Sequence, residues 1–143
     1  MTSVIEFNSK ANKYAEFSNF HESPFEIDGK TYPTVEHWFQ SQKFPTDNEL
    51  QEQIRTAPSP AKAKKLGRTK SVHFQSNWNS ARDEVMKRGV TAKFEQNAEL
   101  MELLRSTDGY ELKEKAFWDS YWGTGRNGKG QNKMGKLLME IIK

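Results

Sequence analysis

The sequence predicts a mostly helical α+β domain with a small β element. Apolar residues recur at helical spacing over most of the chain after residue 34, and strand-like patterns are short, confined to the first third and to residues 110–122. Nine Phe, four Trp and four Tyr supply the bulky anchors of a packed core, although apolar residues make up only 34% of the chain. With a net charge of +3, the chain has too little self-repulsion to stay expanded. Its 143 residues leave little room for a second folded unit, so a single domain over 1–143 is expected.

Val4 to Phe7 reads as a short strand, and Phe25 to Tyr32 as a hairpin turning at Asp28-Gly29. Pro33-Thr34 supplies a stop and an N-cap. Val35, Trp38 and Phe39 then follow at helical spacing until Phe44-Pro45 ends the run. Thr46 with Glu49 has the form of a capping box, opening a helix through Leu50 and Ile54 to about Arg55. Ser59-Pro60 starts a short basic helix closed by Gly67. From Asn77 a long helical pattern runs through Trp78, Ala81, Val85 and Met86, with Gly89 as its weak point. Asn97 caps a further helix bearing Leu100, Leu103 and Leu104. Residues 110–122 hold a short strand, and residues 132–142 form a closing helix on Met134, Leu137, Leu138 and Ile141.

Composition narrows the chemistry. No run approaches the ~18 apolar residues of a membrane span, and MTSVIEFNSK lacks the apolar core of a signal peptide, so a cytoplasmic protein with no membrane partner is expected. Without cysteine there is no disulfide scaffold, thiolate nucleophile or zinc ribbon. The three histidines, His21, His37 and His73, stand apart, and no metal site is expected. A pI near 9.0 tilts partners toward anions.

The run from Gly123 to Gly130 fits GxGxxG and most of a Walker A loop, but both fail on context. Only a short tail follows it, without a βαβ unit, and glycine stands where a magnesium-binding Ser or Thr is needed. What remains is a loop with backbone amides, flanked by Arg126 and Lys129 and leading into a helix, that either holds a phosphate or is a plain surface turn. Glu36 and Lys43 lie seven residues apart, about 700° of rotation, and therefore share one helical face with Gln40 between them. They form either a polar substrate gap or the acid and base that a helix dipole favours at its two ends. Lys62, Lys64, Lys65, Arg68 and Lys70 read as a solvated basic face, with Arg68, just beyond Gly67, as the exception to watch. Trp118, Tyr121 and Trp122 around Asp119 are either a stacking platform for a base or a cap on the core.

The blocks FSNFHESPFEIDGKTYPTVEHWFQSQKF, LGR, NW, AKFEQNAEL and YWGTGRNGKGQNKMGKLLM, spread over nearly the whole chain, resemble the NADAR superfamily in its YbiA-like branch. The resemblance implies a compact, mostly helical α+β fold. It also implies hydrolysis of an N-glycosidic bond between ribose and an exocyclic amine, without cofactor or metal. Two substrate classes follow from it: early riboflavin-pathway intermediates carrying ribosylamine 5′-phosphate, and ADP-ribose attached to guanine, free or within nucleic acid. In the family pattern Glu36 is a catalytic carboxylate, Lys43 is the nucleophilic amine, and Asp119, before YWG, is a second acid. Asn19 and Phe20 of SNF, Gln40, Arg68, Trp78 and Trp122 match the block positions expected to bind substrate, joined by Gly123, Arg126, Lys129 and Asn132 of the glycine loop. The competing expectation is a module that binds ADP-ribose or a nucleotide without cleaving it; the presence of both Glu36 and Lys43 favours the enzyme. Binding to nucleic acid at large rests only on the +3 charge and the basic cluster, with strong salt dependence as its signature.

Overall fold

The computed structural model describes residues 3–143. It bears out the mostly helical α+β class, with six α-helices and four short strands among the described residues. The chain divides into two compact units, one made of Glu22–Gln96 and the other of the segment up to His21 together with Asn97–Lys143. No helix among the described residues is long and apolar enough to cross a membrane.

In the unit Glu22–Gln96, β2 (Phe25–Ile27) and β3 (Lys30–Tyr32) pair antiparallel across Asp28-Gly29. Both turn residues have positive φ, 53° and 81°, as the expected tight hairpin requires. The outer edge of β2 is completed by a side chain: the Gln96 amide accepts from Glu26 N–H at 2.7 Å and donates to Glu26 C=O at 2.8 Å. Helix α1 (Val35–Ser41) packs against α2 (Asn48–Arg55), α3 (Pro60–Leu66) and α4 (Trp78–Gln96). Phe44, Leu50, Ile54, Ala57 and Ala63 form one apolar cluster there, and Leu66 packs against it. The Tyr32 and Trp38 rings meet edge to face at 5.2 Å, and the Trp38 indole donates to Val85 C=O at 2.8 Å.

Three sequence expectations shift in this unit. Helix α1 ends at Ser41 rather than Phe44, because Pro45 disfavours helical backbone at the residue before it. The chain tightens instead, with Lys43 N–H donating to Gln40 C=O and Phe44 N–H to Ser41 C=O, both at 3.3 Å. The α2 cap is Asp47, whose carboxylate accepts from Leu50 N–H at 3.1 Å, while Thr46 pairs with His73 at 2.9 Å. Gly89 is no weak point. A Cβ there would collide with Trp38 Cδ1, so its bare backbone is the seat of the indole.

In the other unit, β1 (Val4–Phe7) pairs parallel with β4 (Glu111–Glu114), Val4 opposite Glu111 and Phe7 opposite Glu114. Helix α6 (Lys133–Ile142) packs on β4 and on α5 (Ala98–Arg105), burying Met134, Leu137, Leu138, Leu104 and Leu112. The approach of α6 to β4 is close enough that a Cβ on Gly135 would strike Leu112 C=O. Beyond β4, the chain runs through Asp119 and the glycine loop into α6.

Candidate active site

Helix α1 is unusual in that all seven of its residues are buried, polar ones included. Its start is held by Thr34, whose hydroxyl accepts from His37 N–H at 3.2 Å and lies 2.8 Å from His37 Nδ1. The other ring nitrogen, Nε2, sits 3.0 Å from Ala57 C=O. A carbonyl only accepts, so Nε2 carries the proton and Nδ1 accepts from Thr34 O–H. Burial pushes the His37 pKa down, which keeps this neutral arrangement.

The same helix buries a carboxylate. Glu36 is 7% exposed and Gln40, one turn on, is 5% exposed. The Gln40 amide donates to Glu36 Oε2 at 2.6 Å, a short charge-assisted bond that fixes the carboxylate on the helix face. Past the helix end, Lys43 is half-buried, and its backbone carbonyl accepts from Gln75 N–H at 2.7 Å. Its pKa is lowered from the ordinary lysine value, first by burial and then by the cations Arg68 and Lys64, while Glu36 opposes the shift. Of the residues singled out from the sequence, Glu36, Gln40, Lys43 and Arg68 therefore form one electrostatic group. Trp78, at the start of α4, is buried with its ring 5.0 Å from Phe39, so its observed contact is with α1 packing.

The remaining sequence candidates lie in the other unit. Asn19 is buried and Phe20 half-buried, with Phe20 N–H donating to the Ser18 hydroxyl at 3.1 Å. Asp119 caps a tight turn: its Oδ1 accepts from both Tyr121 and Trp122 N–H at 2.9 Å. Asn132 has positive φ, 51°, and its amide is spent on β4, accepting from Glu114 N–H at 3.0 Å and donating to Leu112 C=O at 2.9 Å. The backbone amides of the glycine loop do not form an open cradle. Gly128 donates to Gly125, Lys129 to the Asn127 side chain, Gly130 to Thr124, Gln131 to Ser120, Asn132 to Gly123, Lys133 to Tyr121 and Met134 to Trp122. These seven amides are satisfied within the loop and by the segment before it, and the N-terminus of α6 is capped by carbonyls. Of the expected set, the Arg126 and Lys129 side chains are exposed, and Gly123 is buried. Among the described residues, no group of three His, Asp or Glu is placed to hold a metal ion.

Sequence reasoning missed His37 as the clamp of α1, Lys64 as a second cation acting on Lys43, and the purpose of Gly67. Gly67 was expected as a helix stop and does cap the end of α3 after Leu66, but its φ of −64° is ordinary right-handed backbone, so the stop alone does not call for glycine there. The only signal for it in the chain was its place beside Arg68.

Comparison with known proteins supplies the frame for this site. The NADAR domain family matches residues 6–143. N-glycosidase YbiA of Shigella boydii is 47% identical over 138 residues, covering 96% of this chain and 86% of that protein. The riboflavin biosynthesis protein PYRR of Zea mays, a chloroplastic protein, is 36% identical over 98% of this chain but only 25% of its own length. The NMR structure of Escherichia coli YbiA superposes with a TM-score of 0.88 at 45% identity, covering 99% of this chain and 84% of that one.

Proposed function

This chain belongs to the NADAR family and is an N-glycosidase, a hydrolase of N-glycosyl bonds, and we propose that it cleaves a phosphorylated ribose from the exocyclic amine of a base. The observation that carries the proposal is the group at the end of α1 and just beyond it: a buried carboxylate fixed by Gln40, and a lysine whose pKa is lowered by burial and by two neighbouring cations. Arg68 and Lys64 favour an anionic substrate at the same place. The riboflavin biosynthesis name of the maize relative supports a ribosylaminopyrimidine 5′-phosphate. ADP-ribosylated guanine presents the same reacting unit.

In the proposed mechanism, the ribosylamine ring opens: the C1–O4′ pair moves onto O4′, which takes the proton that the base nitrogen gives up, and C1 becomes an imine carbon. Neutral Lys43 Nζ adds to C1. Glu36 carries both protons of that nitrogen in turn to the nitrogen of the base, whose bond to C1 breaks with its electron pair as the second arrives, so that the base leaves as its amine. Water hydrolyses the resulting lysine imine, restores the amine and releases the sugar as its aldehyde. One water is consumed and nothing is oxidised.

Incubation with each of the two substrates, followed by release of base, tests the substrate class. Borohydride added during turnover is expected to fix the mass of the reduced sugar phosphate on the peptide containing Lys43. Glu36→Gln is expected to lose about 10²–10⁴-fold in kcat while remaining folded. Lys43→Arg should lose both adduct and activity, because arginine does not deprotonate. No adduct together with an active Lys43→Arg variant would replace the imine by direct attack of water.

A further inference from the structure

We propose that Gly67 is a positioning residue for Glu36, acting through the Gln40 side chain that lies against its bare α-carbon. This rests on Glu36 being the carboxylate of the reaction. Gly67 follows α3 with φ −64° and ψ −11°, a backbone that any residue adopts. Its N–H donates to Ala63 C=O at 2.9 Å as a continuing helix would, and the residue is buried. Conformation therefore does not call for glycine here, but space does. A Cβ at this position would overlap Gln40 Oε1 and lie 2.8 Å from Gln40 Cδ and 3.1 Å from Gln40 Cβ. All three nearest atoms belong to one side chain.

That side chain has few ways to yield. Gln40 Oε1 is buried and makes no hydrogen bond, so the amide is held on one side by its 2.6 Å bond to Glu36 Oε2 and on the other by contact with Gly67. A methyl group on residue 67 displaces the far end of a flexible side chain rather than backbone. The loss falls on the Gln40–Glu36 bond before it falls on the fold. The next residue, Arg68, is one of the cations lowering the Lys43 pKa. The end of α3 thus acts on the acid through Gly67 and on the amine through Arg68.

The test compares Gly67→Ala, Gln40→Ala and the double variant, with Glu36→Gln alongside, on the ribosylamine phosphate. Gly67→Ala is expected to lose about 10²-fold in kcat, the scale of a misplacement of about 1 Å. It should also move the lower of the two steps on the acid side of the kcat/KM profile, that of the carboxylate below that of Lys43, to higher pH, because a carboxylate that loses a hydrogen-bond donor is easier to protonate. The double variant should be no slower than Gln40→Ala alone, since the side chain through which Gly67 acts is gone, and should be at least as stable as Gly67→Ala. Were Gly67→Ala to unfold, the comparison of Gln40→Ala with the double variant still decides. A double variant slower than Gln40→Ala by the full factor overturns the proposal, as does Gly67→Ala with unchanged kcat and acid limb. If Glu36→Gln is inactive in that case, the positioning role alone fails; if Glu36→Gln is itself active, the assignment of Glu36 fails and takes the proposal with it.

Discussion

Burial lowers the Lys43 pKa from 10.5, Arg68 and Lys64 push the same way, and Glu36 opposes them. Between the lowered value and 10.5 the unfolded chain binds more protons than the folded one, so stability rises with pH across that window. Below it, the buried ammonium is a standing cost to the fold. Lys43→Met is therefore expected to abolish turnover yet raise stability near pH 7 by about 0.5–2 kcal/mol, the usual return from relaxing a functional site. Thermal unfolding across a pH series should show that gain shrinking as the medium becomes alkaline; no gain at neutral pH would mean that the ammonium is well solvated. Lys64 offers a subtler probe. Lys64→Gln removes a cation, lets the Lys43 pKa climb, and should shift the ascending limb of kcat/KM toward higher pH. At this scale the sequence was legible where one helix carries the signal, since Glu36 and Gln40 share a face by spacing alone, while Lys43 was placed on that face although the helix ends at Ser41. Gly67 was not legible, because its purpose is set by a side chain far away in sequence.

Helix α4 shows how packing overrides propensity. Glycine within a helix costs about 1 kcal/mol relative to alanine, so Gly89→Ala taken in isolation should stabilise the protein. Trp38 reverses the sign, because a Cβ at residue 89 would strike the indole, which is 3% exposed and hydrogen-bonded to Val85 C=O at 2.8 Å. Overpacking of this kind costs about 1–3 kcal/mol, and Gly89→Ala is expected to be net destabilising in urea unfolding. A rise in the unfolding midpoint would show that Trp38 moves freely. Helix caps and the Asp28-Gly29 turn were readable because each is decided by neighbours in sequence. The end of α1 moved back by three residues, where a proline sets the outcome, and the α2 cap moved on by one, between two adjacent cap residues. The glycine loop was left open between two readings for a different reason. Its amides find partners at carbonyls of Ser120 to Gly125 and at the Asn127 side chain, a closure that follows from the loop's path and not from its glycines.

The two compact units differ in how far apart in sequence their partners lie. Glu22–Gln96 is continuous, and its helices pack on their near neighbours, whereas β1 must find β4 across the whole intervening chain, with Val4 opposite Glu111. Closing that long loop costs entropy that no local contact offsets until the parallel pair has formed. Amides of α1, α3 and α4 are therefore expected to gain protection before those of Glu111–Glu114 when pulses of hydrogen exchange sample refolding. Simultaneous protection would mean that the chain folds as one cooperative unit. The Gln96 amide, by closing on Glu26, brings the entry and exit of the continuous segment to one place. Adjacent ends are what insertion and circular permutation exploit. Spliced into a surface loop of a fluorescent host, the segment would make a chimaera whose brightness reports whether the transplanted helices have closed.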